Sequence, residues 1–149
     1  MTMKVMRRLG ALVLLVVGGV HLQQYLAGYQ DVPTIGSLFI LNAIGAGVVA
    51  IGLLAPIERF VKGRQEDIAT GLLATAGALI AIGALIALFI SESQPLFGFM
   101  EDGYSTPIVI AIVSEAITTI LLVPVAAASL RRAASDDRPP RLSRPVSSL

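Results

Sequence analysis

The sequence predicts an all-α protein: a four-helix transmembrane bundle with a short interfacial segment in the second of its two acidic loops. Two observations carry this prediction. Hydrophobic residues make up 55% of the chain and charged residues 14%, whereas a soluble domain carries about 25% charged residues. The charges are also segregated between alternate loops, which is the pattern of a chain that crosses a membrane repeatedly. A bilayer is therefore the expected solvent for much of the chain.

Four apolar stretches of 18 to 24 residues account for the excess of hydrophobic residues. Crossing about 30 Å of hydrocarbon at about 1.5 Å per residue takes about 20 residues. Each stretch is therefore long enough to cross once and too short to cross twice. They run from about Leu9 to Leu26, Pro33 to Ala55, Ile68 to Ile90 and Pro107 to Leu130. Together they predict a four-span membrane domain over residues 1–130.

Prolines mark several ends of these predicted helices. Ser105 precedes Pro107 closely, which is typical of a helix start with a capping hydroxyl and a proline in the first turn. Pro33 is expected to open the second helix and Pro56 to close it. Pro124 falls inside the fourth stretch, where its ring should kink the helix.

All eleven basic residues lie in three segments: before the first span, between the second and third, and after the fourth. The other two loops contain only acidic charges. Basic loops stay on the cytoplasmic side, so the sequence predicts a multi-pass protein of the plasma (cytoplasmic) membrane with both termini in the cytoplasm. The basic residues are Lys4, Arg7, Arg8, Arg59, Lys62, Arg64, Arg131, Arg132, Arg138, Arg141 and Arg144, and the acidic ones of the other loops are Asp31, Glu92, Glu101 and Asp102.

The two terminal segments carry separate expectations. The first apolar stretch should remain as a span, because a small-x-small cleavage pattern is missing where a signal peptide would need it. Residues 131–149 are rich in Arg, Pro and Ser and are predicted to form a disordered basic cytoplasmic tail. This tail either serves as a solvated topology signal or contacts anionic headgroups or a partner.

The loop from Ser91 to Thr106 contains an apolar island between acidic flanks, formed by Leu96, Phe97, Phe99 and Met100. The island predicts a short segment that lies in the membrane interface. A lid, or a contact patch for a partner outside the cytoplasm, is the alternative.

Two ionisable residues, His21 and Glu115, interrupt the apolar spans, and Asn42 adds an amide. Counted along their helices, the three lie roughly 8, 12 and 13 Å from the ends next to the acidic loops. Such groups are costly in lipid and usually face the interior of a bundle. We therefore expect an intramembrane polar cluster of His21, Asn42 and Glu115, with Gln24 and Tyr25 at its mouth.

A purely structural interpretation of the same three residues stays open. His21 would then be a satisfied or interfacial histidine, and Asn42 would hydrogen-bond neighbouring helices. Glu115 would be protonated and bonded to a nearby serine or threonine. Small residues on the helix faces predict close helix packing, namely Gly18, Gly45, Gly52, Gly71 and Ala78.

Composition also excludes several chemistries. The chain has no cysteine and one histidine, which removes disulfides, thiolate nucleophiles and cysteine- or histidine-rich metal sites. No catalytic constellation is visible, so we expect no catalytic residue and no metal, and the sequence gives no basis for naming a cofactor. The expected partners are the lipid bilayer and either other membrane subunits or a second copy, not nucleic acid.

The segment HLQQYLAGYQDVPTIGSLFILNAIGAG within residues 19–54, and the later YSTPIVIAIVSEAITTILL, resemble small four-helix membrane proteins of high-GC Gram-positive bacteria, most of them uncharacterised. More distantly, the chain is similar to the DoxX-like group. That resemblance implies a four-helix fold and a link to quinone or thiol redox complexes. The lack of cysteine argues against the thiol role.

Three functions stay open at this point. The first is an accessory or structural subunit of a larger membrane complex, which the small size and glycine-rich faces favour. The second is a small proton-coupled transporter that uses Glu115. The third is a membrane enzyme or a quinone- or lipid-binding membrane protein in which His21 and Tyr25 contact a headgroup.

Overall fold

The computed structural model describes residues 1–101, 103 and 105–136, and these form an all-helical bundle. The four helices are α1 (Met3–Leu26), α2 (Ile35–Leu54), α3 (Arg64–Ser93) and α4 (Thr106–Ser135). Short 3-10 turns occur at Tyr29–Asp31 and Ile57–Arg59. Within the described residues there is no strand, only an isolated bridge between Leu96 and Phe99. The predicted fold class is confirmed.

All four helices are long and apolar enough to cross a membrane. α1 and α2 have 24 and 20 residues, and α3 and α4 have 30 each. At about 1.5 Å per residue the two longer helices extend about 45 Å, more than the roughly 30 Å of a hydrocarbon core. Their ends therefore have the length to reach beyond the apolar region, which suits the charged residues found there.

The helix boundaries differ in detail from the predicted spans. α2 begins at Ile35 rather than at Pro33, because the chain first completes the turn at Tyr29–Asp31 and reverses at Thr34, whose φ is 67°. α2 ends at Leu54, just before Pro56. In α4, Ser105 is the N-cap residue but its hydroxyl makes no capping hydrogen bond.

The predicted disordered tail does not begin at Arg131, since α4 continues through Ser135. Side chains from α3 hold this last turn in place. The Nε of Arg132 lies 3.1 Å from the Oδ1 of Asp67, and the Nε of Arg64 donates to the carbonyl of Ala133 at 3.4 Å. Residues 137–149 of the predicted tail lie outside the described residues.

The bundle has two chemically different ends. The basic end carries the start of α1, the Ile57–Arg59 turn and the last turn of α4, and the acidic end carries the other two loops. At the basic end the buried Arg7 lies near Glu58, with Nη2 and Oε2 3.9 Å apart. The pKa of Glu58 is lowered by a hydrogen bond from its own backbone N–H and by the nearby charges of Arg7, Lys4 and Arg8.

The apolar core fills the half of the bundle next to the basic end. Most of its side chains are small, which lets the helix backbones approach closely and gain dispersion contacts. The core consists of Ala11, Leu14 and Val17 of α1, Ala46, Ala50 and Leu53 of α2, Ala74 and Ala78 of α3, and Leu122, Val125 and Ala126 of α4. Leu122 packs where two glycines leave room, Gly10 and Gly77.

The small residues predicted to pack helices all lie at helix contacts. At each of the four glycines, an added methyl group would come within 3.4 Å of an atom on the neighbouring helix. The fifth residue, Ala78, is buried. The contacts are Gly18 with Ala43 and Ala46, Gly45 with Ile80, Gly52 with Leu73, and Gly71 with Leu130. The helices pack in the order α2, α1, α4, α3, and α2 meets α3 less extensively than the other neighbouring pairs meet.

Gly36 is the position where a methyl group should damage the acidic end. A Cβ there would lie 2.6 Å from the backbone oxygen of Tyr29, which cannot rotate away. We expect Gly36→Ala to cost about 1–3 kcal/mol, as overpacking does, and to lower the thermal unfolding midpoint in detergent. Gly47→Ala is the control, because a Cβ there meets nothing within 4 Å. Equal midpoints for the two variants would contradict this packing.

Candidate functional site

A cavity of about 400 Å³ occupies the half of the bundle next to the acidic end. All four helices and both acidic loops contribute to its walls. Its volume falls within the roughly 300–1,000 Å³ of small-molecule sites. Most of its lining is apolar, including Ile35, Leu38, Ile80, Leu88 and Ile108. The cavity is therefore suited to an apolar molecule that carries a few polar atoms.

His21, Asn42 and Glu115 all line this one cavity, although they come from α1, α2 and α4. The Nε2 of His21 and the Oε1 of Glu115 are 3.7 Å apart. Glu115 is 1% exposed and His21 is 9% exposed. Asn42 is half-buried. The structure thus brings together the three residues of the predicted polar cluster.

The orientation of the His21 ring follows from its backbone contact. Its Nδ1 lies 2.9 Å from the carbonyl oxygen of Val17, which can only accept, so Nδ1 carries a hydrogen. Nε2 then faces Glu115 as an acceptor in the neutral ring or as a donor in the imidazolium. A neutral acid beside a neutral ring, and a carboxylate beside an imidazolium, both have zero net charge. The pair therefore adds no net charge to the apolar interior.

Two side-chain oxygens at the cavity lack hydrogen-bond partners. They are Oδ1 of Asn42 and Oε2 of Glu115, and both atoms are buried. Leaving a buried polar atom unpaired costs about 1–3 kcal/mol. Both residues line the cavity, so a molecule with a polar group at this depth would supply the missing partners once the two side chains turn toward it.

The hydroxyl partner considered for Glu115 from the sequence is not found. Thr119 donates to the backbone carbonyl of Glu115 at 2.9 Å, and Ser114 donates to the carbonyl of Ala111 at 3.0 Å. Serine and threonine in helices commonly bond back to a carbonyl one turn earlier. These two hydroxyls therefore bond to the backbone and not to the carboxyl group of Glu115.

A row of aromatic rings runs from the polar cluster toward the acidic end. Phe39 lies between His21 and Tyr29, with ring centroids 5.1 Å and 4.7 Å away. Phe39 and Tyr29 are stacked with an angle of 20° between their planes, and Phe99 meets Tyr29 edge-on at 5.5 Å. All four rings line the cavity, and such faces favour offset contact with another flat ring.

Tyr29 and Glu101 join the two acidic loops beside the cavity. The Tyr29 hydroxyl donates to Oε2 of Glu101 at 2.7 Å, a length typical of a hydroxyl bonded to a carboxylate. Burial raises the pKa of Tyr29, and the hydrogen bond to Glu101 and the charge of Glu101 raise it further. Tyr29 therefore stays neutral and keeps donating at physiological pH.

The apolar island of the second acidic loop folds over the cavity as a tight turn. Leu96 and Phe99 exchange two backbone hydrogen bonds of 2.7 and 3.0 Å. The two central residues, Phe97 and Gly98, both have positive φ, of 52° and 83°, as a type I′ turn requires. Leu96 and Phe99 line the cavity, whereas Phe97 is 65% exposed. The turn thus divides the island between a cavity roof and an exposed tip.

The mouth of the cluster is only partly the one predicted. Gln24 lines the cavity, whereas Tyr25 does not. Neighbouring residues point about 100° apart around a helix, so both cannot face the same space. Tyr29 takes the place expected for Tyr25, and it was missed because it follows α1 in a turn, where helix periodicity gives no signal. Phe39 lies three residues before Asn42, and this spacing could have indicated that it shares the same face.

Comparisons with protein-family models, with curated proteins and with solved structures find no match for this chain. The resemblance to small four-helix membrane proteins and to the DoxX-like group stays a prediction. The function is therefore argued from the cavity.

Replacing Asn42 tests whether its side chain is held for binding or for helix packing. Leucine has a similar size and leaves no acceptor unpaired, so Asn42→Leu should stabilise the ligand-free protein by about 1–3 kcal/mol and raise its unfolding midpoint. Thr75→Val is the control, because the Thr75 hydroxyl already donates to Gly71 at 2.8 Å. A lowered midpoint for Asn42→Leu would instead support the purely structural role.

Proposed function

We propose that this protein binds a small uncharged molecule with a flat ring and oxygen substituents, of the quinone class, in the cavity beside His21, Asn42 and Glu115. Two observations carry the proposal: Asn42 and Glu115 line an otherwise apolar and aromatic cavity, and one buried oxygen of each lacks a hydrogen-bond partner. An apolar ligand would leave both oxygens unsatisfied. A fully polar ligand would lose its hydration against the apolar walls.

The geometry supports a ring with oxygen atoms at its edge. Phe39 and His21 line the cavity, and their rings would contact the ring of the ligand. A carbonyl oxygen of the ligand would accept from the Asn42 amide group or from a protonated Glu115. A ligand hydroxyl would donate to the Asn42 oxygen or to a carboxylate. The same two side chains thus suit both the quinone and the hydroquinone form.

Charge balance supports an uncharged ligand. The pair formed by His21 and Glu115 is already neutral in either proton arrangement, and the neighbouring side chains at this depth, including Asn42 and Ser114, carry no charge. A charged headgroup would bring one uncompensated charge into a low-dielectric site, which costs several kcal/mol. Quinones and hydroquinones avoid that cost.

The transporter hypothesis has less support from the same structure. A carrier must open its site to both sides of the membrane. Between the cavity and the basic end, Leu14, Leu53 and Leu122 are 0% exposed and Val125 is 1% exposed. Transport would require these packed side chains to separate, and interiors at this density resist such a change.

The accessory-subunit hypothesis stays a proposal alongside ligand binding. The exposed helix faces suit contact with lipid or with other membrane helices, and large apolar side chains such as Leu41, Ile51, Leu79 and Ile120 lie there. A subunit that holds a quinone for a larger complex would fulfil both roles. The two proposals can be distinguished by identifying the small molecules and the proteins that are extracted from the membrane together with this protein.

Extraction from native membranes in mild detergent, with mass spectrometry of the lipid extract and of the proteins, tests both proposals. We expect a quinone-class molecule to accompany the wild-type protein. Asn42→Leu should retain roughly tenfold less of it, because losing one hydrogen bond of about 1.4 kcal/mol changes affinity by that factor. Thr75→Val, whose residue is not part of the cavity lining, should retain the wild-type amount.

The other outcomes of the extraction are equally informative. Wild-type protein that carries no quinone-class molecule would overturn the binding proposal. Other membrane proteins recovered in stoichiometric amount would support the accessory-subunit proposal, whether or not a quinone is present. Recovery of the protein alone would count against that second proposal.

We further propose that the bundle lies in the plasma membrane with both termini in the cytoplasm. The support is the distribution of charge: basic side chains gather at one end of the helices and acidic ones at the other, and basic loops stay cytoplasmic. The cavity would then lie in the outer half of the bilayer.

Single cysteines test this orientation, because the natural chain has none. Ser93→Cys lies at the acidic end and Ser135→Cys at the basic end, and both serines are exposed. In intact cells a membrane-impermeant maleimide should label Ser93→Cys only, and Ser135→Cys should react only after lysis. The reverse pattern would show that the orientation is wrong.

A further inference from the structure

The residues that line the cavity differ in exposure in a systematic way. Four of them are exposed on the surface of the bundle, and all four belong to α2 and α3. They are Leu38 and Leu41 of α2, 42% and 64% exposed, and Leu79 and Gly83 of α3, of which Leu79 is 63% exposed. The other lining residues are buried or half-buried. The cavity therefore reaches the surface between α2 and α3.

The contacts between these two helices explain the opening. Near the basic end, a Cβ on Gly52 would lie 3.0 Å from Leu73, and farther along, one on Gly45 would lie 3.4 Å from Ile80. At Gly83, closer to the acidic end, a Cβ would meet no atom within 4 Å. α2 and α3 thus touch in one half of the bundle and leave a gap in the other.

The rim of this gap is chemically suited to lipid rather than to water. It consists of three leucines and a glycine, with no charged side chain among the four. Gly83 lies ten residues before the end of α3 and Leu41 six residues after the start of α2, so roughly 15 and 9 Å from the acidic end. At those depths a helix of this length is surrounded by hydrocarbon.

The route from the aqueous side is more obstructed. Leu96 and Phe99 fold over the acidic end of the cavity, and the hydrogen bond between Tyr29 and Glu101 joins the two loops beside them. The lining residues of these loops are half-buried, in contrast to the exposed rim between the helices. A molecule dissolved in the bilayer therefore has the more direct access.

We propose that the gap between α2 and α3 is a lateral portal for a chain-bearing neutral lipid. This inference rests on the proposed binding function and narrows it. The ring of the ligand lies in the cavity, and its hydrocarbon chain passes between Leu41 and Gly83 into the membrane leaflet at the acidic end. The ligand enters and leaves sideways, so its polar ring never crosses the aqueous phase and its chain stays in lipid throughout.

Gly83 is the position that tests the portal with least disturbance. It lies inside α3, where a larger residue raises helix propensity, and the space around its Cβ is open. The Cβ of a phenylalanine there would meet no neighbouring atom within 4 Å, and we expect its ring to occupy the gap. Gly19 of α1 is a matched control, because it is also helical, exposed and free of atoms within 4 Å of a Cβ, yet it does not line the cavity.

The experiment compares two probes on purified full-length protein in nanodiscs. One is a naphthoquinone with a long isoprenoid chain, and the other is the chainless 2-methyl-1,4-naphthoquinone. Dissociation constants and exchange rates are measured for the wild type, Gly83→Phe and Gly19→Phe. We expect Gly83→Phe to weaken the chain-bearing probe about tenfold or more, equivalent to about 1.4 kcal/mol, and to slow its exchange. Its affinity for the chainless probe should stay within about twofold, a change below 0.5 kcal/mol, and Gly19→Phe should change neither.

The remaining outcomes overturn the portal or the function beneath it, and they can be told apart. Wild-type affinity and exchange rate for the chain-bearing probe in Gly83→Phe would overturn the portal while leaving binding intact. Equal weakening of both probes would also overturn it, since the phenylalanine would then fill the ring site. Failure of the wild type to bind either probe would instead overturn the proposed function. Gly83→Leu repeats the test with a smaller side chain if the phenylalanine variant folds poorly.

Discussion

The buried pair of His21 and Glu115 is the constraint around which the acidic half of this bundle is arranged. A carboxyl group deep in an apolar helix bundle is stable only beside a group that shares its proton or its charge. His21 provides that group from α1, and its ring is fixed in turn by the carbonyl of Val17. The pairing joins α1 to α4 at a depth where the two helices would otherwise be held together by apolar packing alone.

Small residues make the rest of the bundle possible. Alanine and glycine let all four helices approach closely near the basic end, and Leu122 then fills the space between Gly10 and Gly77. Such packing replaces the hydrophobic effect, which gives little drive between helices already surrounded by lipid. The helices pack tightly at one end, whereas a cavity lies among them toward the other, and the polar pair is part of its lining.

The cavity and its polar groups therefore have a common origin. Large apolar side chains in this space would leave the Oδ1 of Asn42 and the Oε2 of Glu115 without hydrogen-bond partners, whereas the open space leaves room beside them for a polar group. The proposed ligand, an oxygen-bearing ring, would fill the space and supply the missing hydrogen bonds. The roof formed by Leu96 and Phe99, and the bond between Tyr29 and Glu101, lie between the cavity and the acidic end and would shield the proposed ligand from water.

The sequence by itself determined the number of helices, their approximate limits and the segregation of charge between the two ends. Length, apolarity and the position of lysine and arginine are properties of single segments, and a bilayer acts on each segment separately. The depths of His21, Asn42 and Glu115 followed from counting along each helix. That these three residues share one layer of the bundle was therefore predictable.

Only the tertiary structure decided which faces meet and where they fail to meet. Three features depend on contacts between segments that are distant in the sequence: the rotation of each helix, the folding of the Phe97–Gly98 turn and the position of Tyr29 beside Phe39. The hydrophobic periodicity of a single segment gives no information about such contacts. The sequence predicted Tyr25 at the mouth of the cluster, whereas the structure places Tyr29 there. Tyr29 lies in a turn after Gly28, where helical periodicity cannot predict the direction of a side chain. The gap between α2 and α3 has the same cause: it arises from the packing of all four helices together, and no single helix encodes it.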